Sequence, residues 1–274
     1  MKMSCLPVSL FPLLQNGQMT IAQYASLCRE IGLDGFDLGI VVLKNHTPKY
    51  IQQLNEDIAR ENIPLVMLTT YPDFTHPDPM QRKMEYDFLV HDIALASSLK
   101  AKFLRVTAGQ AHPGIDIKRS IGQAVDNLIK VSAVADAYGV ELVYENHSTA
   151  GGWHFMDISN KPEIFLAIAE QIKHTSVNIN FDIANVLVAG EENTIEVLDQ
   201  VFPKVKTIHV ADMSVKGRME PVQLGTGIVP MEEIFTYLKG KNYQGWLCLE
   251  VWKDDGVDAI KKAVHFVRNL WEKS

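Results

Sequence analysis

The chain has 274 residues, 47% hydrophobic and 22% charged, which excludes an intrinsically disordered chain and a disulfide-stapled mini-protein. Its 26 Lys+Arg against 33 Asp+Glu give a formal net charge of −7, an argument against a nucleic-acid groove, which needs a basic footprint. No apolar run approaches the roughly 18 residues of a spanning helix, no signal peptide is legible, and Cys5, Cys28 and Cys248 read as buried small hydrophobes, so a cytoplasmic protein with no membrane partner is expected.

Taken in chain order, short β-rich runs alternate with helical patterns. The runs are Leu6–Leu10, Gly35–Leu38, Leu65–Thr69, Phe103–Thr107, Val140–Glu145, Val177–Asp182, Val205–Val210 and Trp246–Val251. Between them, Ile117, Ile121, Val125, Leu128 and Ala135 recur at helical steps up to a stop at Gly139. The series Ile260, Ala263, Val264, Val267, Leu270 and Trp271 does the same. Weaker patterns cover Ile21–Ile31, Tyr50–Ala59, Tyr86–Leu99, Pro162–Ile172, Ile195–Phe202 and Met231–Leu238. No linker divides the chain, so residues 1–274 are expected to form one domain. Eight strand–helix units imply a parallel sheet with helices outside, and their number favours a closed (β/α)8 TIM barrel of the α/β class over an open doubly wound sheet. No phosphate-binding glycine motif follows the first strand, and Gly225-Thr226-Gly227 reads as a turn before the helix at Met231.

Reacting groups of such a barrel collect at the C-terminal strand ends. At the ends of the last four runs, on the final residue or the one before it, stand Glu145 in "LVYEN", Asp182 in "INFDIAN", His209 in "TIHVAD" and Glu250 in "LCLEVW". Their spacing is about one repeat each. Apolar neighbours such as Phe181, Ile208, Val210 and Leu249 suit the helix-facing side of the pleat, which turns the four polar residues into the mouth. Three carboxylates converging on one imidazole repel one another unless neutralised. A divalent cation is the simplest neutraliser, and the oxygen-rich set suits Mn²⁺, Mg²⁺ or Co²⁺ better than a structural zinc.

These motifs, with "LGTGIVPMEEIF" and "YQGWLCLEVW", resemble the sugar-phosphate isomerase/epimerase family of xylose isomerase-like TIM barrels. The resemblance implies Glu145, Asp182, His209 and Glu250 as metal ligands, with Glu145 and Glu250 also moving the substrate proton as catalytic residues. Its ketose epimerases carry His where this chain has Asn185, and Arg where it has Val215, with Lys216 and Arg218 nearby. Asn185 and Arg218 are therefore candidate substrate contacts, with Arg105 in "FLRVTAG" and His147 in "ENH", both of which resemble the dehydratase-type members.

Other residues have two readings each. Trp153 and His154 wall the pocket or pack on the surface. Asp212 orients His209 or is a solvated loop acid. Lys216 and Lys253 contact substrate or solvent, and Asp73 and His76 belong to a lid over the mouth. The expected activity is a metal-dependent isomerase or epimerase acting on a small polyhydroxy carbonyl compound through an enediolate. A dehydratase using the same site, with His147 as acid, is the alternative; a non-catalytic sugar-binding barrel and a DNA-repair endonuclease rank below it. The composition leaves a homo-oligomer open.

Overall fold

The structure is a computed structural model that describes residues 1–149, 151–252 and 256–274. The chain runs β1 (Lys2–Leu6), α1 (Phe11–Asn16), α2 (Ile21–Glu30), β2 (Phe36–Gly39), α3 (Pro48–Glu61), β3 (Leu65–Thr69), α4 (Pro79–Ser98), β4 (Phe103–Val106) and α5 (Ile117–Tyr138). It continues through β5 (Glu141–Glu145), α6 (Pro162–Ile172), β6 (Asn178–Asp182), α7 (Asn185–Val188), α8 (Thr194–Val201), β7 (Val205–Val210), α9 (Met231–Gly240), β8 (Trp246–Glu250) and α10 (Gly256–Lys273). Local signals set several boundaries. Thr20 and Gln23 form a capping box at α2. Asp116 caps α5, and Gly139, in the left-handed conformation at φ 67°, ends it.

The eight strands form one parallel sheet in the order β1-β8-β7-β6-β5-β4-β3-β2. Between β1 and β2 the seam is drawn shut by Met3, whose carbonyl accepts from the N–H of Asp34 at 2.9 Å and of Gly35 at 3.2 Å. Ser4 Oγ donates across the same seam to Asp37 Oδ2 at 2.6 Å. The result is the expected α/β TIM barrel with surrounding helices.

Two of the predicted boundaries move. The first strand is Lys2–Leu6, not Leu6–Leu10. Pro7 cannot donate to a ladder, and the apolar residues after it turn into a 3₁₀ turn and α1. Helix α4 starts at Pro79, behind an N-cap from Asp78, seven residues before the pattern at Tyr86 declares itself. Its first half carries apolar side chains on the solvent face as well as the buried one, which blurs the period.

The pleat sorts the core into two. Helix-facing residues of the strands, among them Leu104, Leu142, Tyr144, Phe181, Ile208 and Leu249, join the large cluster between sheet and helices. A small separate cluster of Met67, Phe103, Val143, Trp246 and Cys248, with Val66, plugs the barrel itself. On β4, β5 and β8 the residues two positions beyond Phe103, Val143 and Cys248 are Arg105, Glu145 and Glu250, which point the same way, so these polar groups at the mouth sit on an apolar floor.

Asp37 is fully buried in the barrel. Burial pushes its carboxyl up to about 6, against hydrogen bonds from Ser4 Oγ and Met67 N. Unfolded, it titrates near 3.9. Between those values the folded chain holds the extra proton, so stability falls as pH rises from about 4 to about 6 and is flat above. A shift of about two units is worth about 3 kcal/mol. The variant Asp37→Asn should therefore be more stable than wild type by about 1–3 kcal/mol at pH 8 and lose that advantage near pH 4. Urea unfolding at both pH values checks this, and a pH-independent difference would contradict it.

Candidate active site

Four successive strands deliver one side chain each to the mouth: Glu145 ends β5, Asp182 ends β6, His209 stands one residue from the end of β7, and Glu250 ends β8. Parallel register sets Glu145 beside Asn180 and Asp182 beside His209. Glu145 Oε1 accepts from Asn180 Nδ2 at 2.7 Å and lies 2.6 Å from His209 Nδ1. Its Oε2 faces Arg105 Nε at 3.2 Å. Arg105 is itself pinned, donating through NH1 to Thr70 O at 3.0 Å, with its guanidinium 4.4 Å from the centre of the Tyr71 ring. Asp182 Oδ1 accepts the N–H of Ala184 at 2.7 Å and of Asn185 at 3.0 Å. Glu250 Oε1 stands 3.3 Å from His209 Nδ1, and its Oε2 accepts from Trp252 Nε1 at 3.2 Å.

The charges answer one another. Burial disfavours the charged form of Glu145, but Arg105 and then His209 overcome it and hold its carboxyl at about 2. Burial likewise disfavours the His209 imidazolium, yet Glu145 and Glu250 lift it to about 9. Asp182 bears the residue of the repulsion: burial, Glu250 and Glu145 push it well above the usual carboxylate range. A buried cluster that disfavours the charge on one of its own carboxylates in this way is short of positive charge.

A divalent ion fits that deficit. Glu145, Asp182 and His209 each offer a ligand atom within 4.8 Å of the others'. That triad leaves out Glu250, although Glu250 reaches the same imidazole. Two buried atoms of the triad, Glu145 Oε2 and His209 Nε2, have no hydrogen-bond partner among the described residues. Carboxylate and imidazole donors in this number suit a borderline or hard divalent metal.

Above the cluster lies a cavity of about 370 Å³. Arg105, Glu145, His147, Asp182, Asn185 and Glu250 line its polar floor, while Phe11, Pro12, Val41, Met219 and Trp252 form an apolar wall.

The family model of the xylose isomerase-like TIM barrel matches residues 25–270. The chain belongs to this family. Among curated proteins it is 24% identical over 167 residues to an inosose dehydratase of Bacillus thuringiensis, covering 52% of each chain; it spans about half the length of the first such relatives it matches. Among solved structures, the IOLI protein with a bound zinc atom superposes with a TM-score of 0.82 at 18% identity, over 100% of this chain and 99% of that one. A D-psicose 3-epimerase of Clostridium cellulolyticum, solved with D-tagatose, gives 0.77 at 16% identity over 99% of each.

Within this family barrel the remaining sequence candidates divide. Arg105, His147 and Asn185 line the cavity. Arg218 does not: its side chain is 68% exposed and pairs with Glu220 at 2.9 Å, while its neighbour Met219 reaches the cavity instead. Lys216 pairs with Glu192 at the surface. Asp212 neither orients His209 nor is solvated. Its carboxylate collects the N–H groups of Met213, Gly225, Gly227 and Val229 and so ties down the loop after β7. A Cβ at Gly227 would meet Asp212 Oδ1 at 2.2 Å, which is why glycine stands there. Trp153 packs edge-on against His147 at 5.6 Å. Lys253 lies outside the described residues.

Three contributors had little signal in the sequence. Asn180 shares the inward face of β6 with Asp182 and is legible by the two-residue period alone; it links Glu145 to Thr207 Oγ1, which donates to Asn180 Oδ1 at 2.6 Å. Asp157 places Oδ2 3.8 Å from His147 Nδ1 from across a long loop. Gln110 donates twice to Asp73, from N to Oδ1 at 2.9 Å and from Nε2 to Oδ2 at 3.0 Å. Its Oε1 accepts the N–H of His154 at 2.9 Å and of Phe155 at 3.1 Å. Asp73 thus serves as a buried knot joining the loops after β3, β4 and β5, more than as part of an open lid. His76 packs edge-on against His112, whose Nε2 lies 2.7 Å from Asp73 Oδ2.

Replacing Gln110 by Ala removes three side-chain hydrogen bonds and strands buried partners. It should cost about 2–3 kcal/mol and speed hydrogen exchange at the amides of His154 and Phe155. Unchanged exchange at those two amides would show that Gln110 does not hold the loop.

Proposed function

We propose that the protein is a divalent-metal-dependent dehydratase that removes a proton beside the carbonyl of a small polyhydroxy compound and expels a β-hydroxyl as water. The observation that carries this reading is the asymmetry of the two mouth glutamates. Glu145 Oε1 is bonded by Asn180 and lies beside His209, and its Oε2 is paired in charge, without a hydrogen bond, with Arg105. A carboxylate so neutralised is a weak base. Among the described residues Glu250 accepts one hydrogen bond, from Trp252, and it lines the cavity, so it is the better placed of the two to take the α-proton.

The electron pair left by that proton forms the enediolate, and its collapse breaks the bond to the β-hydroxyl. His147 lines the same cavity with Asp157 behind its Nδ1, and gives the departing hydroxyl its proton, so that one water leaves. A divalent ion held by Glu145, Asp182, His209 and Glu250, with Mn²⁺, Mg²⁺ or Co²⁺ as the metals to try first, would supply a Lewis acid for the carbonyl oxygen. Arg105 and Asn180 fix Glu145, Asn146 holds the backbone of Asp182 through bonds at 2.7 and 2.8 Å, and Asn185 offers its amide to a substrate hydroxyl. The inosose dehydratase relatives make inosose the first substrate to test.

One observation favours a second reading, an isomerase or epimerase. Glu145 and Glu250 both line the cavity, from strands separated by those of Asp182 and His209. Two carboxylates can then exchange one proton across a substrate carbon.

Reaction in D₂O with Mn²⁺ separates the two. The dehydratase reading expects inosose to lose water, with Glu250→Gln and His147→Asn each slowing turnover about 10²–10⁴-fold. Deuterium entering a sugar that keeps all its atoms, with His147→Asn fully active, would replace it with the epimerase reading. Binding without turnover would point to a sugar-binding barrel.

A further inference from the structure

Among the described residues, eight large hydrophobic side chains are exposed, and three of them fall on one helix at positions four apart. Met80, Met84 and Phe88 of α4 are 67%, 46% and 56% exposed. Positions i, i+4 and i+8 share one helix face, so they form a continuous apolar stripe. It spans roughly 12 Å at 1.5 Å per residue. The opposite face of α4 is already buried through Leu89, Ile93 and Ala96, and its C-terminal turn is covered by α3, where Asn55 Nδ2 donates to Ser98 O at 2.7 Å. The stripe is thus a second apolar face with no described element of this chain over it, and such faces mark interaction surfaces.

We propose that this face binds a second copy of the chain, with the two α4 helices antiparallel about a two-fold axis. The charge pattern singles out that occupant. Beside the stripe runs the pair Lys83 and Asp87, joined at 2.6 Å. The stripe is centred on Met84, midway between Met80 and Phe88. The pair is centred on Glu85, midway between Lys83 and Asp87. One axis between Met84 and Glu85 lies half a residue, about 0.8 Å of helix rise, from the centre of each row and so serves both. It sets Met84 against its own copy and Met80 against the second copy's Phe88, a favourable sulfur–aromatic contact. It also lays Lys83 beside the second copy's Asp87, and the reverse. A two-fold interface must be self-complementary in this sense, and in antiparallel helices flanking rows meet like rows. A partner of different sequence would have no reason to match a charge row that is its own complement. This inference is independent of the reaction assigned above.

The full chain should sediment as a dimer at high concentration and dissociate on dilution. Met84→Glu sets two carboxylates face to face at the axis and should raise the dissociation constant at least about tenfold, with an unchanged circular dichroism spectrum because the site is exposed. Lys83→Glu and Asp87→Lys should each weaken the dimer about two- to five-fold. The double swap should restore wild-type association. A wild-type chain that stays monomeric across the concentration series would overturn the proposal, as would a Met84→Glu chain that sediments like wild type. Failure of the double swap to restore association would overturn the antiparallel register.

Discussion

One buried imidazole with two carboxylates within 3.3 Å of it, at the end of a barrel strand, is the constraint on which the site depends. His209 Nδ1 lies 2.6 Å from Glu145 and 3.3 Å from Glu250, and Asp182 sits beside it in register. Taking that much negative charge out of water is expensive. The chain offsets it with the one guanidinium of Arg105, with the amide of Asn180, and with two backbone N–H groups on Asp182. These partners bond Glu145 Oε1 and Asp182 Oδ1 and place one cation beside Glu145 Oε2. Among the described residues they leave a shortage of positive charge at the mouth, and in the proposed function a divalent ion would make it good.

The barrel makes this arrangement rigid. Residues two apart on β6 and β7 form successive tiers: Asn180 with Thr207, then Asp182 with His209. Below them the plug of Phe103, Val143, Trp246 and Cys248 gives the polar tier a close-packed floor. Above them the loops after β3, β4 and β5 are tied through Asp73 and Gln110, and the loop after β7 through Asp212. In the proposed reaction a substrate would thus meet side chains already oriented, which is where electrostatic catalysis draws most of its advantage.

Much of this was legible in the sequence because it follows from period and place. Strand alternation located the barrel, and the ends of four runs located Glu145, Asp182, His209 and Glu250. The same two-residue period points to Asn180. What escaped has other causes. Lys2–Leu6 was hidden by a second apolar run beyond Pro7. The start of α4 was hidden by Met80, Met84 and Phe88, whose exposure obeys a surface rather than a core. Arg218 stood at a plausible distance along the chain, yet the loop turns it to solvent and brings Met219 inward. Asp212, Asp157 and Gln110 act through loop backbone, and no periodicity reports where an irregular loop returns to bond.

Calorimetric titration of Mn²⁺ into the metal-stripped chain tests the central claim most directly. The account predicts one ion per wild-type chain and a loss of affinity of at least about 100-fold in Asp182→Asn, while Asp212→Asn, whose carboxylate is spent on its own loop, binds as wild type does. Asp182→Asn binding Mn²⁺ as tightly as wild type would contradict it, because the carboxylates would then converge without holding a cation.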